Sequence, residues 1–182
     1  MPTRDIQCNF VASFKVGDNL VYNTQILCDL VQANDHGRFN KLILIQIAAI
    51  LEASLSEIIS RAQNFNLEGV PNISAEDQAE IRQRTVDKFY HVINILRKYE
   101  VLEGARRTIY DDLHTLRKFR NKIHIQEDLR IEDVSRDEDQ IFTSVRTRWA
   151  MDLNLEVLEY LSCRLARPAH IENFVATLSI PS

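Results

Sequence analysis

Glycine and proline are so sparse in this chain that little besides long helices can fill the space between them. The four glycines are Gly17, Gly37, Gly69 and Gly104, and the four prolines are Pro2, Pro71, Pro168 and Pro181. The segments between them carry none of the closely spaced Gly and Asn-Gly turns that a β-sandwich requires. Apolar spacing inside those segments predicts five main helices.

The first spans about Asp18 to Ala33, with Leu20, Ile26, Leu27 and Leu30 inward. The second spans about Phe39 to Phe65, where Leu44, Ala48, Leu51, Leu55 and Ile58 keep a heptad-like spacing. Its stretch from Leu42 to Ile50 is apolar nearly all round, the mark of a central helix. The third starts at Ser74, an N-cap with Glu76 and Asp77 in the first turn, and runs through Tyr99 until Gly104 stops it. The fourth covers about Arg106 to Ile125. The fifth begins at Ser135, with Glu138 completing a capping box, and presents Phe142, Val145, Trp149, Leu153, Val157, Leu161 and Leu165 to the core until Pro168. Residues 1–16 read as an N-terminal arm or short strand, and 17–182 as a single helical domain. Residues 170–180 have room for one more helical turn. Five antiparallel helices with short connections make an all-α, up-and-down bundle.

Composition narrows the function classes. Three cysteines, Cys8, Cys28 and Cys163, form no Cys-x-x-Cys pair, which argues against a disulfide framework or zinc site and for a reducing compartment. All three are expected as small core residues. The longest apolar run, Leu42 to Leu51, is too short to span a bilayer, and the first residues do not read as a signal peptide. A cytoplasmic protein without membrane contact is the expectation. No His-Glu-x-x-His, Gly-rich phosphate loop or Gly-x-Ser-x-Gly elbow occurs, so no metal or other cofactor is expected.

The net charge is −4, yet charge is unevenly placed. Between Ala105 and Lys122, Arg106, Arg107, Arg117, Lys118, Arg120 and Lys122 stand against Asp111 and Asp112. A basic stripe on an acidic protein suits a localised anion site. Arg106, Arg107, Lys118 and Lys122 are read as a solvated face. With Ile123 as reference on a helical projection, Ile109, Leu113 and Leu116 fall within roughly 80°. Arg120, His124, Arg117, Tyr110 and Asn121 fall between roughly 60° and 160°. The polar cluster therefore flanks the apolar face. Two guanidinium groups supply fixed charge, and an imidazole can move a proton near neutral pH.

The run Leu116-Arg-Lys-Phe-Arg-Asn-Lys-Ile-His124 resembles the signature of HEPN domains, all-helical ribonuclease and nucleotide-binding domains whose motif is an arginine, four to six residues, then a histidine. Arg117 and His124 fit this spacing; the Arg120-Asn121 pair sits one residue too close, so either arginine is a candidate for the family's role. The resemblance implies metal-independent RNA cleavage by attack of a ribose 2′-hydroxyl on the adjacent phosphate, with His124 activating the hydroxyl and Arg117 or Arg120 holding the phosphate. The toxin or phage-defence type, a two-fold homodimer bordered by Tyr110 and Leu113, and an inhibitory antitoxin partner follow as implications. Asn121, His114 and Tyr110 are candidate RNA or nucleotide contacts. Glu52, a carboxylate following the apolar run of the second helix, is a supporting acid that needs a partner such as Arg117 or Arg120; Glu57 is a weaker choice. The alternative is a non-catalytic module that binds RNA or a nucleotide, or a dimerising helical adaptor.

Overall fold

A computed structural model describes residues 2–64, 73–84, 86, 88–122, 137–169 and 175–182. Within them lie β1 (Thr3–Gln7), α1 (Phe14–Gln32), α2 (Asn40–Asn64), α3 (Ala75–Arg82), α4 (Phe89–Lys98), α5 (Ile109–Asn121), α6 (Glu138–Ile141), α7 (Ser144–Arg164) and β2 (Thr177–Pro181). The chain forms an all-α helical bundle with one small two-stranded sheet.

α2 is the centre. It packs against α1, α3, α4, α5 and α7, and Ile43, Leu44, Ile47, Ala48, Leu51, Leu55 and Ile58 along it are fully buried. By length and composition α2 is apolar enough to cross a membrane, but 61% of its most apolar window is buried within the fold. Its apolar face is thus covered by other helices of the chain.

Polar anchors on α2 fix the first and last segments. Glu57 is 6% exposed, and its Oε1 accepts hydrogen bonds from the amides of Ala12 and Ser13, each at 3.0 Å. Those amides precede α1, whose own N-cap is Ser13. Glu57 therefore serves the start of α1 rather than a basic cleft. One turn on, the fully buried Arg61 donates to the carbonyls of Phe10 and Leu165. A buried guanidinium is tolerable only with such acceptors.

The boundaries depart from the sequence reading where tertiary contacts intervene. The third helix is two helices. Ser74 caps α3 in a reciprocal box with Asp77, but the Gln63 side chain of α2 donates to the carbonyls of Ile81 and Arg84. Arg82 returns a bond to the carbonyl of Gln63 at 2.7 Å. These bonds take up α3's terminal carbonyls, and α4 starts afresh at Phe89. α4 then ends at Lys98, before Gly104, with Glu100 at φ 51° in the left-handed region.

The fourth predicted helix starts three residues later than expected, at Ile109. Arg106 is half-buried and ion-paired rather than freely solvated: its guanidinium lies 2.9 Å from Asp112 and 3.3 Å from Glu156. Lys122 is buried. The predicted Ser135 cap and the helix beyond Lys122 lie outside the described residues. The long final helix begins at Ser144, capped by Thr143, and Val145, expected in the core, is 80% exposed. It stands in the first turn of α7, which projects beyond the packed interface that begins at Thr147 and Ala150.

The end segments form a sheet, with Thr3 opposite Pro181 and Gln7 opposite Thr177 in antiparallel register. Residues 177–181 are therefore a strand rather than a helical turn, while Phe14 to Val16 already belong to α1. Cys8 is buried, Cys28 half-buried and Cys163 exposed, so Cys163 is not a core residue. Burial, and next the Glu57 carboxylate, push the Cys8 thiol up to about 12.

Candidate functional site

α5 carries the basic stripe, and its packing sets which residues reach solvent. Ile109, Leu113, Leu116 and Phe119 are its buried face. Phe119 meets Trp149 of α7 edge-on, ring centres 6.2 Å apart. The opposite flank leans on α4. There the hydroxyl of Tyr110 donates to the carbonyl of Leu96 and accepts from the amide of Leu102, both at 3.0 Å. Burial raises its pKa above the ordinary phenol value. Tyr110 therefore locks the α4–α5 turn, and its hydroxyl is already committed to backbone. Leu113 is fully buried, so it cannot border an interface between two chains.

On this scaffold α2, α4 and α5 enclose a cleft of about 200 Å³. Arg117, Arg120 and Asn121 form its α5 wall, Lys88, Phe89 and Tyr90 its α4 wall, and Glu52 its α2 wall. Arg120 is ion-paired with Glu52 across the cleft, Nη2 to Oε2 at 2.7 Å. Glu52 directly follows the fully buried Leu51, so this carboxylate sits at the edge of the core, where a cationic partner offsets its partial desolvation.

Arg117 is differently placed. Its guanidinium carbon lies 5.2 Å from the centre of the Tyr90 ring, a cation–π distance. Its Nε is buried and has no hydrogen-bond partner among the described residues. Arg117 is thus held by stacking while part of its donor capacity goes unused. His114, one turn earlier, has its ring 5.6 Å from Tyr90, tilted by 45°. Burial first, and then the charges of Arg117 and Arg97, hold its imidazole below the ordinary histidine value.

The cleft thus brings together Arg117, Arg120, Asn121 and Glu52, with His114 reaching the same Tyr90 ring. Tyr110 stands apart from it. His124 lies outside the described residues. Sequence reasoning missed Lys88 and Tyr90. The signal for Tyr90 was its place beside Phe89: on a helix whose buried face is Phe89, Val92, Ile93, Ile95 and Leu96, Tyr90 must point outward, and it is 48% exposed.

Two other features compete for attention. A larger concavity of about 600 Å³ lies between the end of α1 and the start of α7. Its best-placed polar group, Asn40, already donates to the carbonyl of Phe142 at 2.9 Å and accepts from Asn34 at 2.9 Å. Among the described residues no group of three or more His, Cys, Asp or Glu is placed to hold a metal ion.

A scan against protein-family models, a search of curated proteins and a search of solved structures each found no match to this chain.

Proposed function

We propose that the α2–α4–α5 cleft binds the phosphate backbone of RNA, and that the chain is a metal-independent endoribonuclease of the HEPN kind. The observation that carries this reading is Arg117: a guanidinium stacked on an exposed tyrosine, with a buried Nε that has no acceptor among the described residues. A phosphoryl oxygen is a suitable acceptor for such a donor. Lys88 adds charge, and the Glu52 pair fixes Arg120 at the same rim. The stripe ends in the Arg-x(6)-His spacing of Arg117 and His124.

In this reading His124 accepts the proton of a ribose 2′-hydroxyl. The 2′-oxygen bonds to phosphorus, the bond to the 5′-oxygen breaks, and that oxygen takes a proton. The products are a 2′,3′-cyclic phosphate and a 5′-hydroxyl. Arg117 stabilises the charge that builds on the phosphoryl oxygens. Two chains facing across a two-fold axis would double the positive charge around the strand, and a partner protein covering the cleft would restrain the activity as an antitoxin does.

The test is cleavage of a labelled RNA in EDTA. Wild type should leave a cyclic phosphate, His124→Ala should not, and Arg117→Ala should be slower by ~10²–10³. Equal cleavage by wild type and His124→Ala refutes the catalytic assignment.

One observation favours the non-catalytic RNA-binding alternative. Arg120 is partly neutralised by Glu52, so among the described residues the charge in the cleft without an acidic partner rests on Arg117 and Lys88. Retained RNA binding without any cleavage is the result that would select it.

A further inference from the structure

Tyr90 faces two concavities, and the second has the makings of a base-reading site. Beyond the phosphate cleft, Tyr90 also lines a hollow of about 390 Å³ along α4, with Arg84, His91, Asn94 and Ile95. That volume lies within the ~300–1,000 Å³ usual for small-ligand sites. Tyr90 and Asn94 are one turn apart, so they stand side by side on the same helical face. Tyr90 remains about half exposed although Arg117 stacks on its ring and the rings of His114 and His91 lie 5.6 and 5.7 Å from it. Asn94 is half-buried, and its side-chain amide makes no hydrogen bond among the described residues.

We infer that the Tyr90–Asn94 face of α4 is a nucleobase subsite, with Tyr90 stacking an unpaired base and Asn94 reading its edge. The inference rests on the RNA-binding reading of the adjoining cleft and names what that cleft selects. Unpaired bases are commonly held by stacking on an aromatic ring. A carboxamide offers a donor and an acceptor side by side, the complement of the N6 and N7 edge of adenine. Arg117 on the shared tyrosine joins the two halves: the phosphate lies on the cleft side and its base on the hollow side. Adenine is the preferred base.

The experiment is fluorescence anisotropy of labelled oligoadenylate, oligocytidylate and oligouridylate in EDTA. It uses the His124→Ala protein so that no strand is cut, with circular dichroism to verify each variant. Oligoadenylate should bind most tightly. Tyr90→Ala should weaken all three about five- to a hundredfold, while Tyr90→Phe retains binding. Asn94→Ala should erase the preference for adenine and leave the oligocytidylate affinity in place. If Arg117→Ala loses binding and Tyr90→Ala does not, the base subsite is overturned while the RNA reading stands. If AMP binds in a Tyr90- and Asn94-dependent way and no oligonucleotide binds, the subsite stands and the RNA reading falls. Binding of neither overturns both.

Discussion

Replacing Glu52 by Gln tests what its ion pair with Arg120 is for. The two side chains are 21% and 37% exposed, between a surface pair, worth about 0.2–1 kcal/mol, and a buried one, whose breaking costs about 3–5 kcal/mol. Glutamine keeps the volume and can still accept one bond from Arg120. The loss should therefore sit near the lower figure, about 1 kcal/mol, or about 2–4 °C in Tm for a chain of this size. The effect on binding has the opposite sign. Glu52→Gln frees one positive charge at the rim of the cleft. If that charge then engages a phosphate, the plot of log affinity against log salt for single-stranded RNA should steepen by ~0.7. Over a fourfold range of salt this is an extra loss of about 2.6-fold in affinity. Thermal melting and anisotropy across that salt series measure both effects on one preparation. A destabilised variant with an unchanged salt slope would show that Arg120 serves the fold alone. Weaker RNA binding at low salt would show that the carboxylate orients the guanidinium rather than masking it.

Hydrogen bonds from Lys98, Tyr99 and Arg84, in that order, hold the Glu80 carboxyl down to about 2. Because this folded-state value lies below the unfolded one, its contribution is present above about pH 4.5 and is lost as pH falls towards about 2. Glu80→Gln should therefore lower the urea midpoint at neutral pH and converge with wild type in strong acid; parallel curves throughout would contradict this origin. For assembly, the expected particle is a two-fold homodimer, so light scattering at micromolar concentration should return about twice the 21.1 kDa chain mass. A monomeric mass sinks the two-chain cleft.

What was legible in the sequence follows the range of the interactions concerned. The helical class, the central place of α2 and the Ser74 cap depend on spacing within a few residues, and each is found. The need for a partner at Glu52 was also local in origin, since a carboxylate beside Leu51 cannot sit at the core edge unpaired; Arg120 meets it. The break between α3 and α4 was not legible, because Gln63 of another helix supplies the bonds that end α3. Tyr110 could not be told from a ligand contact, since the carbonyl and amide that hold its hydroxyl belong to Leu96 of α4 and Leu102 of the connection after it. Tyr90 gained its meaning only when α4 and α5 came together and set Arg117 against it.

The sheet joins parts of the sequence that lie far apart, and this bears on the order in which the fold is expected to form. Thr3 pairs with Pro181 and Gln7 with Thr177, so two five-residue segments about 170 positions apart in sequence must meet before either is paired. The ladder closes a loop of almost the whole chain, whose entropic cost grows only slowly with length but is met before any ladder bond forms. The contacts of α2 with its neighbouring helices span shorter stretches of sequence, so strand pairing is the step expected last. Until then the backbone of Thr3–Gln7 is an unpaired strand edge, the kind of surface that draws other chains. Crowded refolding should therefore fail first at this closure, with helicity already recovered, which separates the yield of folded protein from the speed of helix formation.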